Sequence, residues 1–208
     1  MIIIFGLRVV WSTIATGVFH CRKCGGDRNY RYRTGRRFFT VFFIPIIPLN
    51  KVGEHVQCET CKTRYVTEVL KAPTAAAMQT AVTDGVRGMV AVMLNSGDLT
   101  NATARRKGVT VVTGAGVTGY DEATLVQDLS RPLADWRPSI AAFGGQLQPV
   151  AKEWHLAEMI RMGLLDGPLT DSQRNAVISI ASDLGMTPAQ AYGVISLTEQ
   201  AEAGEPGA

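Results

Sequence analysis

All four cysteines of this 208-residue chain stand in two pairs of identical spacing, Cys21-Arg22-Lys23-Cys24 and Cys58-Glu59-Thr60-Cys61, with 33 residues between them. Two-residue spacing lets both thiolates of a pair reach one metal ion at about 2.3 Å, and two such pairs complete a tetrahedron. The pattern predicts one structural zinc ion held by Cys21, Cys24, Cys58 and Cys61. Gly25-Gly26 supplies the tight backbone turn that follows the first pair, whereas Lys62-Thr63 occupies that place after the second. The intervening residues are rich in β-branched and aromatic side chains, so strands are expected to bring the two pairs together as hairpin tips. A redox pair would instead open a helix within a βαβ unit, and neither pair has that setting. Four thiolates leave no open coordination position for water, which argues against zinc catalysis. His20 and His55 lie beside the pairs as alternative ligands, but four cysteines already close the site.

Reduced thiols suit a cytoplasmic protein, and the N-terminus agrees with that expectation. Ile2-Ile3-Ile4-Phe5 follows Met1 without a positive n-region, and Arg8 interrupts the apolar run, so the chain is expected to open as a strand rather than as a secretory signal. The longest apolar run, Phe38 to Leu49, contains Pro45 and Pro48 and falls short of the roughly 20 residues that a spanning helix needs. No transmembrane segment is expected.

Composition changes abruptly at Lys71-Ala72-Pro73-Thr74-Ala75. Residues 1–72 hold 12 Lys and Arg against 4 Asp and Glu, and residues 73–208 hold 9 against 14, so a basic module precedes an acidic one. The predicted organisation is a β-rich zinc-binding domain over 1–72, an all-helical domain over 73–202 and a frayed tail over 203–208, a mixed α+β chain of two domains. Strands are expected over Ile2–Val10, Tyr30–Arg33, Arg37–Ile44 and Arg64–Leu70, with turns at Gly25-Gly26, Thr34-Gly35 and Asn50 to Gly53. In the second domain Met78, Val82, Val86, Met89 and Met93 step as one face of a helix does. Leu125, Leu129 and Leu133, then Ile140, Phe143 and Leu147, do the same. Thr170 with Gln173, and Thr187 with Gln190, read as capping boxes that open two further helices, the first burying Val177, Ile180, Ala181 and Leu184. About seven helices are expected. Ser96 to Thr100 also aligns with Asp166 to Thr170, and Gly116-Val117-Thr118 with Gly185-Met186-Thr187, which suggests two pseudo-equivalent helical units.

Two surface stretches bear on partners. Arg28, Tyr30, Arg31, Tyr32, Arg33, Arg36 and Arg37 lead into Phe38 and Phe39, an interleaving of cations and aromatics suited to tracking phosphates and stacking bases. A half-buried strand with a solvated basic face has the same pattern. Phe38, Phe39, Phe42 and Phe43 then open the apolar run to Leu49, too much apolar surface for a small ribbon to hide. Its cover is expected from Ile2–Val10 or the helical domain, with a partner protein or shallow membrane contact as alternatives. His155 and Glu158 are spaced like half a metal site on the helix that carries Trp154, although a surface pair is the simpler reading.

Ile4-Phe5-Gly6, Phe19 to Gly26, Phe42 to Leu49 and Cys58 to Cys61 together resemble an actinobacterial zinc-ribbon family. The helical remainder resembles a TerB-type (tellurite-resistance) domain, mainly through Asp166-Gly167-Pro168-Leu169-Thr170 and the following Gln173–Leu184 helix. The second resemblance implies a compact all-helical domain of stress-response proteins, whose better-matched members bind metal through an acidic cluster. Here Ser96 replaces one acid, and Arg105, Arg106, Gln173 and Arg174 stand at the helix positions, so a cation is not expected near Asp98, Asp166 and Asp171. The expected function is that of a non-enzymatic adaptor with a protein partner. The alternative is an RNA-, ribosome- or DNA-associated protein.

Overall fold

The computed structural model describes residues 5–42 and 44–204, the side chain of Phe5 excepted; Ile2 to Ile4, Phe43 and residues 205–208, on which some expectations rest, lie outside them. The chain divides into two compact units, Met1–Ala77 and Met78–Ala208, with the division five residues beyond Ala72. The shift has a local cause. The Asp27 carboxylate accepts hydrogen bonds from the amides of Ala75 (2.9 Å) and Ala76 (3.1 Å), which ties the first turn of the next helix to the ribbon.

The first unit is a four-stranded antiparallel sheet in the order β1-β2-β3-β4, with β1 over Phe5–Cys21, β2 over Gly26–Val41, β3 over Ile44–Cys58 and β4 over Arg64–Tyr65. The strands are longer than the local pattern predicts. Thr34-Gly35 is not a turn but the middle of β2, opposite Trp11 and Ser12, and Asn50 to Gly53 lies within β3. Gly35 has a packing reason to be there: a Cβ at this position would lie 2.8 Å from the Trp11 ring, so only glycine lets the indole lie across the strand. The expected strand from Arg64 to Leu70 is only two residues long, because the chain turns into a 3-10 helix over Thr67–Lys71. A bulge at Ile14 shifts the register between β1 and β2. The buried side chains of the unit gather at one end of the sheet, around Phe19, Cys21, Val56 and Cys58.

In the second unit, helices span Ala75–Asn95 (α1), Ala102–Gly114 (α2), Glu122–Leu129 (α3), Arg137–Gly144 (α4), Pro149–Gly163 (α5), Asp171–Asp183 (α6) and Pro188–Gly204 (α7). Ala203 and Gly204, expected to fray, close α7. The later part of α1 is buried on every side from Val86 to Leu94, bar Arg87, as befits the central helix of a bundle. Trp136, Ile140, Phe143, Leu156, Met159, Ile160 and Ile180 complete the surrounding core. Both capping boxes form as the sequence predicts, Thr170 with Gln173 and Thr187 with Gln190. The series through Leu133 does not continue as one helix. Pro132 ends it, and Leu133 opens a separate 3-10 turn, Leu133–Trp136.

A buried ion pair that the linear sequence conceals braces α1 against α3. Arg87 holds Asp128 through two bonds, Nε to Oδ2 at 2.9 Å and Nη2 to Oδ1 at 2.6 Å, and the Tyr120 hydroxyl donates to Asp128 Oδ2 at 2.8 Å. Asp128 is 1 % exposed, while the guanidinium lies 5.7 Å from the Tyr120 and Trp136 ring centres. Asp128 raises the pKa of Arg87, and burial followed by Asp128 raises that of Tyr120. Removing one partner of such a pair strands the other charge inside. Asp128→Ala is therefore expected to lower unfolding stability by about 3 kcal/mol, measured by denaturant titration of the helical signal.

Candidate metal centre

Each cysteine pair lies at a turn of the sheet, the first between β1 and β2 and the second between β3 and β4, and antiparallel pairing puts both turns at one end. The hairpin geometry expected from the spacing is thus realised. The two turns share a backbone pattern. Cys24 and Gly25 amides bond to the Cys21 carbonyl (3.1 and 2.9 Å), and the Lys62 amide bonds to the Cys58 carbonyl (3.1 Å). Four residues after the first cysteine of each pair the chain enters the left-handed region, at Gly25 (φ 66°) and at Lys62 (φ 61°). Glycine adopts that conformation freely. Lysine does so at a cost, offset here by bonds from Lys62 Nζ to the Glu59 carbonyl (2.6 Å) and from Gln57 Nε2 to the Lys62 carbonyl (3.2 Å).

The four Sγ atoms lie within 4.8 Å of one another, and Cys21 and Cys61 Sγ are 3.7 Å apart. A tetrahedron with metal–sulfur bonds of 2.3 Å has edges of about 3.8 Å, so the donors fit a zinc ion. Cys21 and Cys58 are buried, Cys24 and Cys61 partly so. Among the described residues no other group of three or more His, Cys, Asp or Glu side chains converges in this way.

The electrostatics of the thiols favour a cation. Burial, then the neighbouring thiols of Cys61, Cys21 and Cys58, push Cys24 up to about 12. The Thr63 hydroxyl and its backbone amide draw Cys61 down to about 6. Burial opposes ionisation of Cys21, yet the Tyr65 hydroxyl, 3.1 Å from its Sγ, and the Cys24 amide leave its pKa lowered. Partial ionisation of the cluster thus works against its own completion, and a divalent ion removes the conflict. Around the thiols, Phe19 packs edge-on against Tyr30 and Tyr65, with ring centres 5.8 and 5.5 Å away. His20 Nδ1 faces Asp27 at 3.5 Å, and buried His55 packs against the Trp11 ring at 4.4 Å.

The basic aromatic stretch is divided between inside and outside. Tyr30 and Tyr32 pack against the buried end of the sheet, and the Tyr32 hydroxyl donates to Glu54, so neither ring is a free stacking platform. Arg31 is paired with Glu59 at 2.5 Å, Arg33 bonds Gln57 (3.2 Å) and the Trp11 carbonyl (3.2 Å), and Arg28 bonds the Asp27 carbonyl (2.6 Å). Arg36 and Arg37 make no hydrogen bond or ion pair among the described residues. Phe38 and Phe39 are half-buried in β2, Phe42 sits exposed at the hairpin tip, and Phe43 lies outside the described residues.

In the second unit the two pseudo-equivalent turns meet, as Asp166 accepts bonds from the Asp98 amide (2.9 Å), Asn101 Nδ2 (2.7 Å) and Gln173 Nε2 (3.0 Å). Asp98 in turn accepts from the Thr100 amide and hydroxyl. Amide and hydroxyl donors thus occupy these carboxylates. The arginines expected to oppose a cation there are engaged elsewhere, Arg105 with Glu122 and Arg174 with Glu199. Glu158 is held by Lys107 (3.0 Å) and Arg161 (2.7 Å), so it is not poised to complete a metal site with His155. His155 lies under Trp154 beside a cleft of about 270 Å³ whose walls include Val111 and Ala115.

Comparison with known proteins agrees with this geometry: the profile of a zinc-ribbon family matches residues 19–80, which include both cysteine turns. No curated protein and no solved structure matches the chain. The matched segment is similar to a zinc ribbon, and the four converging thiols give it a donor set that one zinc ion would fit.

The purified chain is expected to carry one zinc ion, counted by elemental analysis. A chelator should unfold the first unit while most of the helical circular dichroism persists, because binding energy at such sites is folding energy of about 10–16 kcal/mol. Cys58→Ser should behave almost like loss of all four ligands. Zinc affinity should weaken as pH falls, because the metal must displace protons, foremost that of Cys24, and a competing chelator read at two pH values would measure this.

Proposed function

We propose that this protein is a non-enzymatic adaptor, in which a zinc-stiffened basic ribbon engages one partner and the helical unit engages another. The observation that carries the reading is the closed donor set. Four thiols at tetrahedral spacing use the whole coordination sphere of zinc, so the ion's role is to hold the ribbon's turns rather than to activate water. What the ribbon offers outside is contact chemistry, unpaired cations and apolar side chains along an extended sheet. The actinobacterial ribbon resemblance and the TerB-type resemblance of the helical unit belong to this proposal, as does a role in a stress response in the cytoplasm. The turn at Asp166 supports the second resemblance in position, with its carboxylate serving as a structural brace. No helix among the described residues is long and apolar enough to cross a membrane.

The tagged full chain should retain protein partners after nuclease treatment and lose those of the ribbon when Cys58 is changed to Ser. Complete loss on nuclease treatment would overturn the adaptor reading.

A second reading, association with RNA, the ribosome or DNA, is favoured by Arg36 and Arg37, whose side chains have no hydrogen-bond or ion-pair partner among the described residues. For single strands each neutralised phosphate contributes about 0.7 to the slope of log affinity against log salt. Arg36→Ala with Arg37→Ala should therefore flatten the slope by about 1.4, measured by fluorescence anisotropy with labelled RNA. An unchanged slope would exclude these two side chains from the contact.

A further inference from the structure

The half of the sheet that points away from the metal is built unlike the half that surrounds it. From Ile44 to Glu54 every residue of β3 is exposed, and because successive side chains point to opposite faces, both faces are uncovered. Among the described residues the expected cover is absent: residues 5–10 of β1 extend the sheet beside β2 instead of lying across it. Leu7, Phe42, Ile44, Ile46, Ile47 and Leu49 are each between 42 % and 63 % exposed, which makes the tip apolar on both sides. Behind them stand Arg8, Arg36, Arg37 and Lys51. Arg8 pairs across from Phe38, and Arg36 across from Lys51. The side chains of these four make no hydrogen bond or ion pair among the described residues, and the only carboxylate in residues 28–54 is Glu54, which accepts from Tyr32.

The tip itself is made against turn preference. Val41 pairs with Ile44 at the end of the hairpin, where two-residue loops favour Asn and Gly, and Phe42 takes φ 51°. A bulky aromatic in the left-handed region costs energy that the fold does not recover by burying it, since Phe42 is 49 % exposed. Pro45 and Pro48 remove two backbone donors from the outer strand, which lowers the cost of bringing that edge into an apolar phase.

We propose that this arm docks on the surface of an anionic lipid bilayer, with exposed Phe42, Ile44, Ile46, Ile47 and Leu49 seated at the headgroup boundary and Arg8, Arg36, Arg37 and Lys51 as a cationic collar over the lipid phosphates. Two observations select this occupant. A protein groove or a second sheet covers one face, whereas a fluid interface surrounds both faces of the tip. The collar has no acidic counterpart nearby, so two copies packed arm to arm would bring like charges together, while an anionic surface complements them. The dimensions agree. At about 3.3 Å per residue the collar begins roughly 13 Å and ends roughly 20 Å behind the tip. A tip seated about 10 Å deep leaves the collar roughly 3–10 Å above that boundary, about one Debye length of 8 Å.

The test uses the zinc-loaded full chain with vesicles of phosphatidylcholine alone and of phosphatidylcholine with about one-quarter phosphatidylglycerol. Cosedimentation with the anionic vesicles, weakened by salt, is expected. Arg36→Gln with Arg37→Gln should weaken it by about 25-fold. Ile46→Asp should weaken it by at least about tenfold, and unchanged zinc content would show that this exposed substitution leaves the ribbon folded. The Phe42→Trp variant should show a blue-shifted difference emission on anionic vesicles, a readout that rests on no loss of binding. Absence of cosedimentation at low salt, an unshifted tryptophan, or Ile46→Asp binding as well as the parent would overturn the proposal. Self-association without lipid that Ile46→Asp abolishes would assign the arm to a second copy and overturn it equally.

Discussion

Four sulfur atoms at one end of a three-strand ribbon, with a short fourth strand beside them, decide whether the first unit has a fold at all. Its buried set is small: Phe19 and Val56 are enclosed together with two of the thiols, and Tyr30, Tyr32 and Tyr65 lean on them. A core of that size offsets little of the chain entropy lost on ordering about 50 strand residues. One ion held by the four thiols would supply the difference, at the place where the two cysteine turns meet. Phe19, Tyr30 and Tyr65 then shield the thiols from water. The hydroxyl of Tyr65 also links the first turn to β4, through Cys21 Sγ and the Lys23 amide.

The helical unit has no such dependence. Its cohesion comes from a central helix buried on nearly all sides and from two polar braces that close distant segments on one another. Arg87 and Asp128, 41 residues apart, neutralise each other in a buried setting with Tyr120 and Trp136 around them. Asp166 gathers donors from Asp98, Asn101 and Gln173 and so joins the two pseudo-equivalent turns. Each brace satisfies a carboxylate with several donors, which for the buried Asp128 is the condition under which an acid stabilises rather than costs. The lone pairs of Asp166 are taken by these donors.

The ribbon is asymmetric along its length. At the metal end Arg28, Arg31 and Arg33 are held by internal hydrogen bonds, whereas the far end is apolar on both faces and fringed by cations whose side chains have no partner among the described residues, with Phe42 at its tip in the left-handed region. An extended sheet that holds its tip away from its core presents side chains to a surface without needing a pocket. That division of labour accounts for why the sequence is so rich in apolar residues and yet buries so few of them in this unit.

The sequence by itself determined the features that depend on a few neighbouring residues. The Cys-x-x-Cys spacing limits the reach of each thiolate pair, the Thr170/Gln173 and Thr187/Gln190 boxes start helices through bonds spanning three residues, and the step of three or four puts Val177, Ile180, Ala181 and Leu184 on one buried face. Tertiary structure decided everything that depends on register between distant segments. Tyr30 and Tyr32 alternate with Arg31 and Arg33 in the sequence, but the pairing of β2 with β1 and β3 turned the rings toward Phe19 and bound both arginines internally. Thr34-Gly35 carries turn composition, yet the Trp11 ring needs a residue without a side chain beneath it and the strand runs through. Lys62 adopts a conformation its type disfavours because the second cysteine turn must match the first to bring four sulfurs to one point. Local chemistry offers each residue a short set of conformations, and contacts made tens of residues away select among them.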